Sequence, residues 1–464
     1  MSTSSRRNGG RTFRPRLEVL ESRTLLSFAG CIVDRLTDTG AGSGLMGDLR
    51  YCITNVTDGD DIIFAVQGTI NLTGALPDLT HSISIEGPGA SSLTVQRDTG
   101  GDYRILTVAR GATVVLSGLT IANGSVPETL GGGILSEGSL TISNSTVRGN
   151  LAFTGGGILN EGSLIISNST IANNTVNFEY GEVRGGGIYN AGTLAITNST
   201  IASNEAAGTD PGVEQGGGIY NAGTLTVNNS TISGNAAYSV FASGAADGGG
   251  IYNTSTLNMR NTVLARNYAG RYGPDLFGSL ASSGYNVIGN TQGGSGFDPT
   301  DLLNTDPLLG PLQNNGGPTL TMALQRGSPA IDAGDNTGAP DWDQRGEGFP
   351  RIVNDIIDIG AYEVQQGECD GSAPHGLRDQ LKRFIGMAFM PHATPQSEFT
   401  SIHLTADVQM NPVPLKAQDV GATRTQSETL PISQPTATLH LAQDSLFMEL
   451  EFGFPGIENP SQQN

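Results

Sequence analysis

The chain has 464 residues, 44 acidic against 24 basic, for a formal net charge of −20. Glycine supplies 66 positions, about twice the usual ~7 %, and clusters in triplets, which excludes the every-third-residue pattern of collagen. Duplex nucleic acid is a poor partner because no basic patch exists to displace phosphate counterions. No apolar run reaches the ~18 residues of a membrane-spanning helix.

Residues 1–27 are arginine-rich, and Leu17, Val19, Leu20, Leu25 and Leu26 are interrupted by Glu18, Glu21 and Arg23. They lack the continuous apolar core of a secretory signal. The order Arg16, Leu17, Glu18, Leu20, Glu21, Arg23, Leu25, Leu26 resembles the LEPR-XLL leader of exported planctomycete-type proteins. That resemblance implies delivery to the extracellular space, the cell surface or the outer membrane. Phe28-Ala29-Gly30-Cys31 offers a rival reading as a lipobox, against which the charged segment upstream argues. Of the three cysteines, Cys31, Cys52 and Cys369, the first two can pair in an oxidising compartment or stay free in a reducing one. Their spacing fits neither a zinc site nor a disulfide framework.

From Gly131 five units repeat, starting at Gly131, Gly155, Gly185, Gly216 and Gly248. Each has a fixed core of about twenty residues and a tail of changing length, the signature of a stacked array. Inside a unit the apolar positions alternate, as in Leu140/Ile142 and Leu194/Ile196, which is strand spacing. Three short strands per unit, separated by one or two Gly, Asn or Ser, predict an all-β fold. Its form is a right-handed parallel β-helix, a single-stranded solenoid, with a capping subdomain and a largely disordered C-terminal tail. Ile134, Ile158, Ile188, Ile219 and Ile251 are expected to form one internal ladder. Val147, Ile171, Ile201, Ile232 and Leu264 are expected to form another. Two corner ladders of hydrogen-bonded amides are expected at Asn144/168/198/229/261 and Asn150/174/204/235/267, since asparagine tolerates left-handed backbone and carries donor and acceptor. The four Asn-Ser-Thr triplets read as turn chemistry, not glycosylation sites. Earlier alternation at Ile83/Ile85, Leu93/Val95 and Val114/Leu116 extends the solenoid from about residue 62 to about 288, nine or ten coils.

The repeats resemble those of bacterial surface β-helices, including the polymorphic outer-membrane proteins. Gly47–Ile53 resembles the CSLREAI-type region that caps such helices, with Tyr51-Cys52 where Glu-Ala or Gln-Ala is usual. Ser282–Asn290, Thr305–Asp335, Asp343–Gly346 and Asp358–Glu363 resemble the choice-of-anchor Q domain. The expected organisation is an export leader (1–27), an N-terminal cap (28–78) and a parallel β-helix (79–290, repeats at 131–267). A choice-of-anchor Q-like C-terminal cap (291–369) and a low-complexity tail (370–464) follow. Within the tail, residues 377–389 have helical spacing, for packing on the β-helix or touching a membrane surface.

Polysaccharide-degrading enzymes also use this fold, and they need clustered carboxylates. Glu137 and Glu161 share a repeat position and should sit one strand spacing, ~5 Å, apart. The pair is read three ways: a retaining carboxylate pair, a calcium site, or solvated turn residues, as the Ala191, Ala222 and Thr254 of later coils suggest. The group Asp332, Asp335, Asp341, Asp343, Arg345, Arg351, Asp358 and Glu363 is either a ligand site or a cap whose arginines pair with acids and close the open end. Tyr189, Tyr220 and Tyr252 also share a repeat position and should stack as a ladder, with Leu135 and Leu159 in the earlier coils. Each adjoins an inward isoleucine and should point out, to stack on sugar rings or to cover the sheet. The variable tails leave at one corner, where solenoids commonly carry their interaction face. The expectation is a secreted or surface-associated protein with an adhesive, scaffold or glycan-contacting role. No catalysis and no cofactor are expected, and the partner is a polysaccharide or an envelope component. The alternative is a polysaccharide lyase or glycoside hydrolase.

Overall fold

The computed structural model describes residues 30–178, 181–208, 213–239 and 245–368, and the strands Thr436–Leu439 and Leu450–Gly453. Two units are separated, Met1–Phe384 and Ile385–Asn464. In the second, the two strands form an antiparallel hairpin. The leader and the expected helix at 377–389 lie outside the described residues.

The first unit is a parallel β-helix. Strand Ser139–Ser143 pairs in parallel with Thr113–Ser117 before it and Ser163–Ser167 after it, Leu140 facing Val114 and Leu164. Three such stacks make sheet A (through Leu140), sheet B (through Val147) and sheet C (through Ile134), of 12, 10 and 8 strands among the described residues. Because register steps by one whole repeat, identical residues meet identical residues. The isoleucine ladder from Ile134 to Ile251 is fully buried, as is the ladder from Val147 to Leu264. Both belong to one continuous core running from Cys31 to Ile288.

The triplet glycines are required by close approach. A Cβ on Gly187 would stand 2.6 Å from the carbonyl oxygen of Gly218 in the next coil, while Gly185 turns the chain at φ +70°. No other residue fits both conditions.

One amide ladder is present as expected. Asn150, Asn174, Asn204, Asn235 and Asn267 donate Nδ2 to the Oδ1 of the next member, Asp275 ending the series, at 2.8–2.9 Å. The other corner differs. Asn144, Asn168, Asn198, Asn229 and Asn261 supply left-handed backbone at φ 48–49°, and no amide–amide bond links them. The second amide ladder runs instead through Asn160, Asn190, Asn221 and Asn253 at 2.7–2.8 Å, the asparagines that follow the outward Leu or Tyr of sheet C. In each Asn-Ser-Thr triplet the serine belongs to a further ladder, Ser169 Oγ accepting from the Ser145 amide and donating to the Ser167 carbonyl.

The solenoid also extends beyond its expected ends. Gly30–Val33 pairs in parallel with Asp61–Phe64, which pairs with Ile83–Glu86, so the expected N-terminal cap already contains coil strands. The short helix Leu49–Asn55 sits between them. Asp48 caps it, accepting from the amides of Tyr51, Thr39 and Ala41. Burial pushes that carboxyl up, but the three amide bonds outweigh it and hold it below the usual range. A Cys31–Cys52 disulfide ties helix to strand.

The C-terminal segment has two roles where one was expected. Leu302–Leu303 still continues sheet B, and Phe297 packs on the last coil's core. Residues 309–368 then run back along the outer face of sheet B as a plate. Gln344 Nε2 reaches the Ser169 carbonyl, Thr170 Oγ1 and Thr319 Oγ1, and its Oε1 accepts from Thr200 Oγ1. The Thr231 hydroxyl accepts from the Ala361 amide. Asn198 and Asn261 donate to the carbonyls of Trp342 and Asp335. The plate thus covers a flank of the solenoid, with its own apolar layer of Val263, Val287, Leu309, Ile359 and Tyr362.

Candidate binding groove

The variable tails are not loose loops at their bases. Outgoing strands Leu151–Thr154, Thr175–Phe178, Glu205–Gly208 and Ala236–Ser239 stack coil on coil, as do returning strands Glu182–Arg184, Val213–Gln215 and Ala245–Asp247. Together they form a fin with a thin apolar interior of Val176, Val183, Ala206 and Ala237. Glu214 occupies the slot between Val183 and Ala246, fully buried, and burial raises its carboxyl above the usual range. Gly208 leaves it room, since a Cβ there would stand 2.1 Å from Glu214 Oε1.

Alternation in the returning strands sends Val183 into the fin and Arg184 to the other side, in register with Gln215 and Asp247. The glycine triplet then turns the chain straight into sheet C, where Ile188 points in and Tyr189 out. The angle between fin and sheet C is therefore a groove along the helix axis. Tyr189, Tyr220 and Tyr252 line one side, and Arg184 with the buried Gln215 and Asp247 lines the other. The Arg184 guanidinium lies 5.1 Å from the Tyr220 ring centre. Arg271 forms an ion pair with Asp247 and lies 5.2 Å from the Tyr272 ring centre.

The tyrosines form the expected ladder, which Phe277, four residues past Gly273, extends by one step. Ring centres are 5.1, 5.3 and 4.8 Å apart and planes lie within 7°. This geometry changes how they can meet a ligand. Each interior ring spends both faces on its neighbours, so the groove receives ring edges and phenol hydroxyls. Tyr220 is only 7 % exposed. Burial raises the phenols of Tyr189 and Tyr252, which keeps them neutral donors at physiological pH. Sequence reasoning missed Phe277 because its unit reads Gly-Pro-Asp-Leu-Phe where earlier ones read Gly-Gly-Gly-Ile-Tyr.

Glu137 and Glu161 fall at in-register turns between sheets C and A, Glu137 half-buried and Glu161 exposed. Their amides donate to the Val108 and Ser136 carbonyls. Glu137 lies in the field of Arg104, and Glu161 in that of Tyr189. Among the described residues no group of three or more His, Cys, Asp or Glu is placed to hold a metal ion.

The acid and arginine group of the plate is an internal network. Asp343 and Arg345 are paired and wholly buried, the guanidinium lying between the rings of Phe349 and Tyr362 at 4.0 and 3.8 Å. Arg351 donates to the carbonyls of Asp358 and Gly360. Glu363 accepts from the amides of Val353 and Asp358. Its carboxyl is pushed up to about 9 by burial and by the charge of Asp358, against the pull of Arg351. Asp335 is apart from this group, bridged to Arg260 of sheet A.

No protein-family model matches the chain, and no curated protein matches it. Among solved structures it is similar to the crystal structure of pectate lyase Pel9A, at 13 % identity and a TM-score of 0.38, over 73 % of this chain and 98 % of that one. The parallel β-helix is established by the coil-to-coil register itself. No helix among the described residues is long and apolar enough to cross a membrane.

Proposed function

We propose that the protein is an exported, surface-associated β-helix that contacts an extended glycan without cleaving it, as an adhesin or scaffold. The groove between the fin and sheet C carries this reading. It runs along the helix axis with the tyrosine ladder on one side and Arg184, Gln215 and Asp247 on the other, Tyr189, Tyr252 and Arg184 half-buried and Tyr220, Gln215 and Asp247 buried. Such a surface suits a polymer, whereas a small molecule calls for an enclosed, mostly apolar cavity. The remaining repeated polar residues support the non-catalytic half. The side chains of Asn204, Asn221, Ser169 and Thr200 each hold another coil or the plate, which leaves few groups for chemistry. Export agrees with the disulfide, which persists in oxidising compartments. The CSLREAI-like and choice-of-anchor Q-like segments, and the planctomycete-type leader, belong to the same reading.

A degradative enzyme is the rival, favoured by one observation: Glu137 and Glu161 hold in-register turn positions of adjacent coils, Glu161 in the coil before Tyr189. Affinity electrophoresis of the full-length protein through gels containing laminarin, xylan, alginate or polygalacturonate, with and without calcium, tests the reading. Retardation by at least one polymer, reduced about tenfold in affinity by Tyr220→Ala, is expected. Migration unaffected by every polymer would overturn it.

A further inference from the structure

The faces of the aromatic ladder are used up except at its lower end. Phe277 is the last ring, its upper face on Tyr252 at 4.8 Å. Below it, strand Leu276–Ser279 pairs with Gly294–Ser295, Gly278 facing Gly294. The amide of Gly278 donates to the carbonyl of Gly293, at 3.0 Å. Gly293 therefore takes the register position beside Phe277; it has no side chain and is exposed, and a Cβ on it would meet the Gly273 backbone at 2.8 Å. At the upper end the corresponding slot is filled, since Leu159 stacks in register on Tyr189 and is 1 % exposed. Among the described residues no ring covers the other face of the half-buried Phe277, and Ser279, Ser295 and Gln292, its neighbours in strand and register, are polar and exposed, as is Arg271.

We propose that Phe277 is the platform on which one pyranose ring of the glycan stacks, making it the residue that anchors the polymer in the groove. A pyranose is amphipathic in the same sense as this site. One face offers C–H groups, which the negative face of an aromatic ring attracts. Its rim carries hydroxyls, for which Ser279, Ser295 and Gln292 supply uncharged partners and Arg271 a donor. A peptide side chain would match the ring but not the polar rim. Position adds a further reason: Phe277 closes the row of phenol hydroxyls, so a chain stacked there continues upward along Tyr252 and Tyr220.

This inference rests on the glycan-contacting reading, and its test separates the two. Affinities of the wild type, Phe277→Leu, Phe277→Tyr and Tyr220→Ala are measured by calorimetry on the polymer that retards the wild type most. Phe277→Leu keeps the apolar volume and loses the ring, and is expected to lower affinity at least tenfold, while Phe277→Tyr stays within about twofold. Equal thermal midpoints for the two Phe277 variants would show that the loss is not one of folding. Binding by Phe277→Leu as tight as wild type, with Tyr220→Ala still weakened, would overturn the platform and leave the groove standing. Failure of the wild type to bind any polymer would overturn both.

Discussion

Each position of the repeat is fixed by one physical demand, and the Asn-Ser-Thr triplet shows three in succession. Asn144 and its equivalents turn the chain at positive φ, the serines carry an internal hydroxyl ladder, and the threonines face outward, where Thr170 and Thr200 receive the plate. The two asparagine types should therefore respond differently to substitution. Asn204→Ala removes the bonds to Asn235 Oδ1 and the Ile171 carbonyl and strands the amide of Asn174. It is expected to cost about 2–4 kcal/mol in urea unfolding, because the partners are buried. Asn144→Gly keeps the left-handed turn and should stay within ~0.5 kcal/mol. Equal losses would contradict this division of labour. Sequence alone marks both as corner residues, since both recur at the repeat period. Which corner carries amide bonds depends on whether the side chain points into or out of the coil, and composition does not encode that. The ladder through Asn160 is not legible because its first repeat has Ser136 in that position and the preceding Leu or Tyr marks only the outward face.

At the scale of elements, the buried carboxyls of the fin, the plate and the end of the amide ladder set the pH response. Glu363 is raised to about 9, Asp358 and Asp275 to about 6, all chiefly by burial, and Glu214 is raised as well. An unfolded carboxyl titrates near ~4. Between there and pH 9 the folded chain thus holds protons the unfolded chain has released, and stability falls as pH rises. The thermal midpoint is expected to decline from pH 5 to pH 9, and Glu363→Gln should flatten the part above pH 6. A midpoint rising over that range would contradict the assignment of these groups. The strands of the core repeat were legible from alternation, because burying one face imposes a period of two. The plate's place was not: its contacts, such as Gln344 with Thr170, span 174 residues, and nothing local signals which flank a returning segment will cover. The fin was half legible, since the tails change in length while their bases keep coil register.

Within the first unit, the solenoid's continuous core and its sheets A, B and C leave two ends that need protection from further pairing. The N-terminal end relies on the helix Leu49–Asn55 and on Cys31–Cys52, which closes a loop with a sequence separation of 21. Cys31→Ser is expected to lower stability by about 3 kcal/mol, and adding a reductant to the wild type should reproduce the loss. No effect from either would contradict a stapled end. Function was the least legible level. The sequence shows the tyrosine row and its stacking but not how far the ladder is buried, and it shows Glu137 and Glu161 without showing what surrounds them. The central claim is binding without cleavage. Its most direct test counts new chain ends, reducing and unsaturated, when the full-length protein is incubated with a polymer it binds, with and without calcium. The account predicts none above buffer at saturating protein. New ends that vanish in Glu137→Gln or Glu161→Gln would contradict it and make the groove an active site.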